Sequence, residues 1–318
     1  MTEAEPARAD GDTASSTSEN EGAFKAFSKR WRPRIEQALE EILPPADRAP
    51  SVLHEAMRYA MFPGGKRFRP LLALCAAEAG GGDPEMALRP AAALELVHTY
   101  SLVHDDLPCM DDDALRRGRP TCHVAFDEAN ALLAGDALLT LAFEVTAEAG
   151  GGAVVALARA AGSLGMVGGQ VEDLEAENLG KALTLEHLER IHDGKTGALI
   201  TSSLEVGLHA GGCDLSAVEE WRRFGNAVGR AFQVADDCLD LTGTAEELGK
   251  QPGQDLAHGK STYPSLLGLE KSLDIAHGLV AEASDLAERI CSPAGRQSVD
   301  GGVSLLQDLA LAAVRRKA

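Results

Sequence analysis

Residues 91–113 read AAALELVHTYSLVHDDLPCMDDD, and the reading of this stretch decides the fold. An apolar run at helical spacing, Ala91 to His104, ends in Asp105 and Asp106; Leu107, Pro108, Cys109 and Met110 then lead to Asp111, Asp112 and Asp113. A second cluster, Asp236, Asp237 and Asp240, stands in an equally apolar stretch that includes Ala231, Phe232, Val234 and Ala235. Carboxylates are rarely set on apolar helices without a cation, because desolvation and mutual repulsion disfavour their charged form. Hard oxygen ligands offered by only a few side chains suit Mg²⁺, which keeps several waters and completes its shell with substrate phosphates. The two clusters predict two buried helices that hold a diphosphate through magnesium.

The rest of the chain supports helices around that pair. Ala, Leu and Glu dominate the 318 residues, hydrophobic residues make up 45% and aromatics only 4%, a balance that favours helix over sheet. Helical segments are expected over 52–62, from Pro70 to the glycines at 80–82, from Pro84 into the first cluster, and over 128–148, 154–172, 185–210, 215–241, 264–281 and 303–315. Ser51 and Thr184 stand as N-caps, and Pro63, Gly64 and Gly65 break the chain between two helices. Hairpin signals are missing. The expectation is one all-α domain over residues 23–318, preceded by a disordered acidic tail over 1–22 that matches neither a signal nor a transit peptide.

Charge and cysteine usage exclude several classes. A net charge of −19 argues against nucleic acid and anionic membrane as partners. No stretch reads as a membrane span. Cys75, Cys109, Cys122, Cys213, Cys238 and Cys291 form no CxxC pair, so neither zinc nor a disulfide framework is expected, and the compartment inferred is the cytoplasm.

Spacing separates the two clusters. Asp236 and Asp240 are four apart, about 40° round an ideal helix, and project from one face with Asp237 beside them. Asp106 and Asp111 would diverge by about 140° on an undisturbed helix, but Pro108 interrupts the ladder and can return Asp111 toward Asp105. A calcium loop competes, yet the EF-hand glycine and closing glutamate are missing. Cations sit in short rigid contexts: Lys66, Arg67 and Arg69 after two glycines at a helix start, and Arg116, Arg117 and Arg119 directly after the first cluster. A diphosphate bridged between Mg²⁺ and arginine forks accounts for both. His98, Lys195, Lys250 and Lys260 are weak signals taken singly.

Residues 102–113 with Arg116, Arg117 and Gly118, then Gly165 to Gln170, Lys195 to Leu199, Phe232 and Gln233 before Asp236, and Gly259 to Pro264, together resemble the trans-polyprenyl diphosphate synthase family. The likeness spans roughly residues 30–315. It implies an all-α homodimer whose helices surround a deep cavity. It assigns Asp105, Asp106, Asp111, Asp236, Asp237 and Asp240 to three magnesium ions bound with an allylic diphosphate. Arg116, Lys195, Lys250 and Lys260 would contact that diphosphate, with Thr196 and Gln233 near the nascent cation. Lys66, Arg69, His98 and Arg117 would bind isopentenyl diphosphate. Gln254, and Asp193 with Gly194, depart from the family pattern. Tyr100, five residues before Asp105, with the insertion of Pro108 and Cys109, resembles bacterial farnesyl synthases and implies a C15 product over C20; by helix geometry alone Ser101 lies more directly below the aspartates. A class I terpene cyclase usually lacks a second full aspartate motif, and a non-catalytic partner subunit need not keep both.

Overall fold

The computed structural model describes residues 22–62, 64–179, 183–243, 261–291 and 301–315. The acidic tail inferred over 1–22 lies outside them except for Gly22, as do Lys250, Gln254 and Lys260. The chain runs through α1 (Ala23–Ile42), α2 (Ser51–Met61), α3 (Phe68–Ala79) and α4 (Pro84–Asp105). A two-stranded ribbon, β1 (Leu115–Arg116) and β2 (Arg119–Pro120), leads into α5 (Cys122–Phe126), α6 (Glu128–Thr146), α7 (Gly151–Ala161) and α8 (Met166–Leu179). Then come α9 (Leu185–His192), a π turn (Asp193–Gly197), α10 (Ala198–Ala210), α11 (Val218–Thr242), α12 (Tyr263–Leu267), α13 (Leu269–Cys291) and α14 (Gly302–Val314). The all-α expectation holds.

Two helices are apolar almost all round and occupy the centre, as such helices must. Residues Pro70 to Ala77 of α3 are all buried, and so is nearly every residue of α10 from Leu199 to Leu208. α10 packs against α3, α4 and α11, so it spaces the two helices that carry the aspartates. A small residue brings α10 close to α3. A Cβ on Gly207 would lie 2.0 Å from the Ala73 carbonyl oxygen, so the backbones of α10 and α3 touch directly. Amphipathic helices close the outside: α1 buries Phe27, Trp31, Ile35, Leu39 and Ile42 at three- and four-residue spacing. Each such side chain contributes about 1.5–3 kcal/mol.

Local signals set most helix ends, and some fail. Asp83 caps α4, its carboxylate accepting the Glu85 N–H at 2.9 Å, with Pro84 at the first helical position. Thr184 caps α9 through the His187 N–H at 3.3 Å. Ser51 does not cap α2: it is the first helical residue, and Pro50 holds the cap position. The helix expected over 154–172 is broken at 162–165, where a Cβ on Gly165 would come within 2.2 Å of the Ala160 carbonyl oxygen. The helix expected over 264–281 is two: a short α12, which has its own Thr262–Ser265 capping box, and α13, which begins after Gly268 at φ 83° and extends to Cys291. The ribbon was not foreseen, because its turn is Arg117-Gly118 in place of Asn-Gly or Asp-Gly. Both central residues take positive φ, 52° and 73°, as a type I′ turn requires.

Stretches 128–149 and 151–176 are each long and apolar enough to cross a membrane by composition. α6 packs against α4 and α2, and α7 against α10, which buries 39% and 33% of the two stretches. All six cysteines are free.

Gly207→Ala is expected to force α3 and α10 apart and lower the melting temperature by about 2 °C or more, since overpacking a tight core contact typically costs about 1–3 kcal/mol. Thermal denaturation followed by circular dichroism checks this, and an unchanged midpoint would mean that the two backbones are not the spacer.

Candidate active site

The first wall is the C-terminal end of α4. The helix stops at Asp105, and Pro108 cannot donate to continue it. The chain curls back instead. Asp111 donates its N–H to the Asp105 carbonyl at 2.9 Å, and Asp112, at φ 52°, donates to Leu107 at 3.2 Å. The bend expected at Pro108 thus brings Asp111 beside Asp105. Burial first, and then the charges of Asp111 and Asp106, push the Asp105 carboxyl up to about 6, although Lys195 and Arg116 pull the other way.

Asp106 is buried and bonded to Arg116, whose Nη2 lies 2.6 Å and Nε 2.7 Å from Oδ1. The β1–β2 turn folds Arg116 back onto the cluster. The likeness gave Asp106 to metal and Arg116 to diphosphate; in this structure they hold each other. Burial raises the Asp106 pKa, and Arg116 opposes the rise.

The second wall is the C-terminal part of α11, and its aspartates do not act alike. Asp236 lines a cavity that α4 borders through Glu95 and His98. Asp237 is buried: Oδ1 accepts from Gln233 Nε2 at 3.1 Å, and Oδ2 accepts the Tyr263 N–H at 3.0 Å, at the start of α12. His192 Nε2 stands 4.0 Å from the same Oδ2, and burial lowers that imidazole to about 4, so it is neutral. Asp240 is also buried. Asp237, expected beside the face shared by Asp236 and Asp240, ties α11 to α12.

Between the walls the π turn presents Lys195 and Thr196. Thr196 Oγ1 donates to Gln233 Oε1 at 3.0 Å, and Lys195 Nζ is 2.6 Å from Asp173 Oδ2 on α8. Sequence reasoning missed Asp173. Beside Glu172 and Glu175 it reads as part of a solvated face, and only the fold turns it toward Lys195.

The cations meet at a cavity of about 860 Å³ whose lining includes Lys66, Arg69, His98 and Arg117, with Thr196 and Gln233 across from them. Gly65 makes the room: a Cβ there would lie 2.9 Å from Arg117 Nη1. His98 is held well below its usual pKa by burial and by Arg69, Arg117, Arg116 and Arg67, and so stays neutral. Arg67 is scaffold. Buried at φ 50°, it binds Glu36 at 2.7 Å and Glu95 at 3.0 Å. Arg32 and Arg315 also line the cavity and carried no signal in the sequence. The stacked rings of Phe68 and Phe232, 5.4 Å apart, form its apolar side.

Tyr100 and Ser101 lie away from this cavity's lining. Tyr100 is buried with its ring edge-on to His104 at 5.6 Å, and the Ser101 hydroxyl donates to the His98 carbonyl at 2.9 Å.

A hard cation fits the donor set. Asp105, Asp111 and Asp236 offer carboxylate oxygens, and the raised Asp105 pKa records a carboxylate that burial deprives of water more than Lys195 and Arg116 make good. Among the described residues no three His, Cys, Asp or Glu side chains form a ready-made cage. An ion bound here would complete its shell from water and phosphate, as Mg²⁺ does.

The Polyprenyl synthetase family pattern matches residues 50–288. A chloroplastic geranylgeranyl pyrophosphate synthase of Capsicum annuum is 47% identical over 273 residues, 83% of this chain and 73% of that protein. The chloroplastic large subunit 1 of a heterodimeric geranylgeranyl pyrophosphate synthase of Arabidopsis thaliana is 47% identical over 262 residues, 79% of this chain and 70% of that one. The crystal structure of an FPP/GFPP synthase from Zymomonas mobilis superposes with a TM-score of 0.76 at 37% identity, covering 90% of this chain and 97% of that one.

Asp105 gives a pH prediction. Its carboxyl moves from 3.8 to about 6 on folding, so the folded state holds this proton more tightly. The ionised group therefore opposes folding above pH 6, and the penalty fades as pH falls through 6 toward 3.8. Asp105→Asn should raise the melting temperature of metal-free protein by a few degrees at pH 7.5 and by little at pH 4. No gain at pH 7.5 would contradict the buried charge.

Proposed function

This chain belongs to the polyprenyl synthetase family and is a prenyltransferase, and from that premise we propose that it condenses isopentenyl diphosphate with dimethylallyl and geranyl diphosphates to make farnesyl diphosphate. One observation carries the reading: Asp236 and the cations Lys66, Arg69 and Arg117 line one cavity with an apolar side, while Lys195, next to Thr196 of that lining, acts electrostatically on Asp105. Two diphosphates need two sites of opposite construction. Lys66, Arg69 and Arg117 meet the isopentenyl diphosphate directly, and neutral His98 adds a hydrogen bond without adding charge. Asp105, Asp111 and Asp236 would hold Mg²⁺ bound with the allylic diphosphate. When bound, that metal supplies charge neutralisation for the departing diphosphate.

The chain's own groups do the rest. Lys195 meets the leaving group, so its charge counters the negative charge that develops as the allylic C–O bond breaks. Gln233 Oε1 and Thr196 Oγ1 direct oxygen dipoles toward the cationic carbon. Phe68 and Phe232 exclude water that would quench it. The isopentenyl double bond then attacks, a C–C bond forms, and one proton leaves to the departing diphosphate.

Support for C15 is Tyr100, a buried aromatic one turn or more before Asp105 on α4. C20 is the second reading, favoured by the naming of relatives at 47% identity as geranylgeranyl synthases. Product chromatography decides between them. If Tyr100 limits the tail, Tyr100→Ala should move the main product up by at least one five-carbon unit while ionisation continues. Truncating a buried aromatic costs roughly 3–5 kcal/mol, so the variant's fold is checked by circular dichroism. A folded, active variant with an unchanged product would place the floor elsewhere, and wild-type C20 would overturn the farnesyl assignment.

The reading also includes a homodimer. α6, α7 and α8 follow one another and expose Leu132, Leu133, Val155, Val167 and Val171, with Leu164 between them 98% exposed. These side chains would be covered if a second copy offered the same surface in return. Light scattering should give twice the chain's mass, falling to one chain in a Leu133→Glu, Leu164→Glu variant. A monomeric wild type would refute this assembly.

A further inference from the structure

Asp193 and Gly194, which depart from the family pattern, open the π turn that carries Lys195 and Thr196. Single π turns inside helical stretches recur at functional sites, because they shift the facing of the residues they contain. Here α8 and α11 approach the turn through glycine. A Cβ on Gly169 would lie 2.1 Å from the Lys195 backbone nitrogen, and one on Gly229 would lie 3.1 Å from the Gly197 Cα. Backbone against backbone fixes distance, but offers no interlocking side chains to fix rotation.

Polar contacts supply that restraint. Arg230 on α11 donates two parallel hydrogen bonds to Asp193, Nε to Oδ1 at 2.8 Å and Nη2 to Oδ2 at 2.6 Å. Gln233, three residues further along α11, accepts the Thr196 hydroxyl, three residues further along the turn. α11 thus grips the π turn at two points in register. The other side of the turn is open, since Asp193 and Ala198 border a separate cavity of about 680 Å³. Packing from that side does not hold the turn, and the guanidinium fork does.

We propose that Arg230 is a positioning residue: through Asp193 it sets the π turn, and so the placement of Lys195 and Thr196 against the allylic diphosphate. The proposal rests on the reading that Lys195 and Thr196 face that substrate. The pair is well exposed, with 38% and 41% of the two side chains accessible, so its worth to stability is small. A planar, bidentate fork gives direction more than energy. Its loss should therefore appear in turnover and hardly in melting.

Steady-state kinetics with isopentenyl and dimethylallyl diphosphates in Mg²⁺, together with melting temperatures, test this on Arg230→Leu, Asp193→Asn and the charge swap Asp193→Arg with Arg230→Asp. Each single variant should lower kcat about tenfold, the scale of a small misplacement of a reacting group. The KM for isopentenyl diphosphate and the melting temperature should stay near wild type, and the swap should recover turnover above either single variant. Wild-type kcat in the single variants, a loss that follows a lowered melting temperature, or a swap no better than its parts would overturn the clamp. Lys195→Ala separates the two levels. If it turns over normally, the reading of the allylic site falls and the clamp with it; if it is crippled while Arg230→Leu is not, only the clamp falls.

Discussion

Like charge held at the negative ends of two buried helices is the constraint on which the rest of this molecule depends. Asp105 is the last residue of α4, and Asp240 lies two residues before the end of α11. Helix carbonyls already make those ends electronegative, so carboxylates there are disfavoured by the dipole as well as by burial. Their persistence requires cations from elsewhere in the chain. The acidic balance of the whole, −19, makes the local gathering of Arg116, Arg117, Lys195, Lys66 and Arg69 more telling.

Some of the cations are held by internal partners, Arg67 among them although it also borders the cavity, and others are left to the cavity. Arg67 and Arg116 are consumed by internal partners, Glu36 and Glu95 in one case and Asp106 in the other. Those pairs fix the entry to α3 and the β1–β2 turn, and the neighbouring Lys66, Arg69 and Arg117 are thereby carried to the cavity lining. Adjacent residues of the same charge have opposite duties. Two arginines in sequence, Arg116 and Arg117, show it most plainly: the ribbon turn sends one to Asp106 and the other beside His98.

Asp237 plays the corresponding part on the second wall. Its two oxygens are taken by Gln233 and by the backbone at the start of α12, and neutral His192 closes its surroundings. The chain Thr196–Gln233–Asp237–Tyr263 joins the π turn, α11 and α12 in one hydrogen-bonded series. A substitution anywhere in it would be felt at the turn carrying Lys195, because such networks are coupled and not additive.

The sequence by itself determined the helical class, the two aspartate-bearing helices, the return of Asp111 to Asp105 at Pro108 and the identity of most cavity cations. These follow from local physics: apolar periodicity, a proline without a donor, and charge that apolar surroundings do not tolerate. Only the tertiary structure decided that Arg116 closes on Asp106, that Asp237 serves α12, that Asp173 reaches Lys195, that the stretch expected over 154–172 is broken, and that the one over 185–210 carries a π turn. Each of these depends on a partner distant in the chain, or on a glycine whose meaning is set by the backbone packed against it. Gly165, Gly169, Gly207 and Gly229 read alike in the sequence, and only their neighbours in space give each its role.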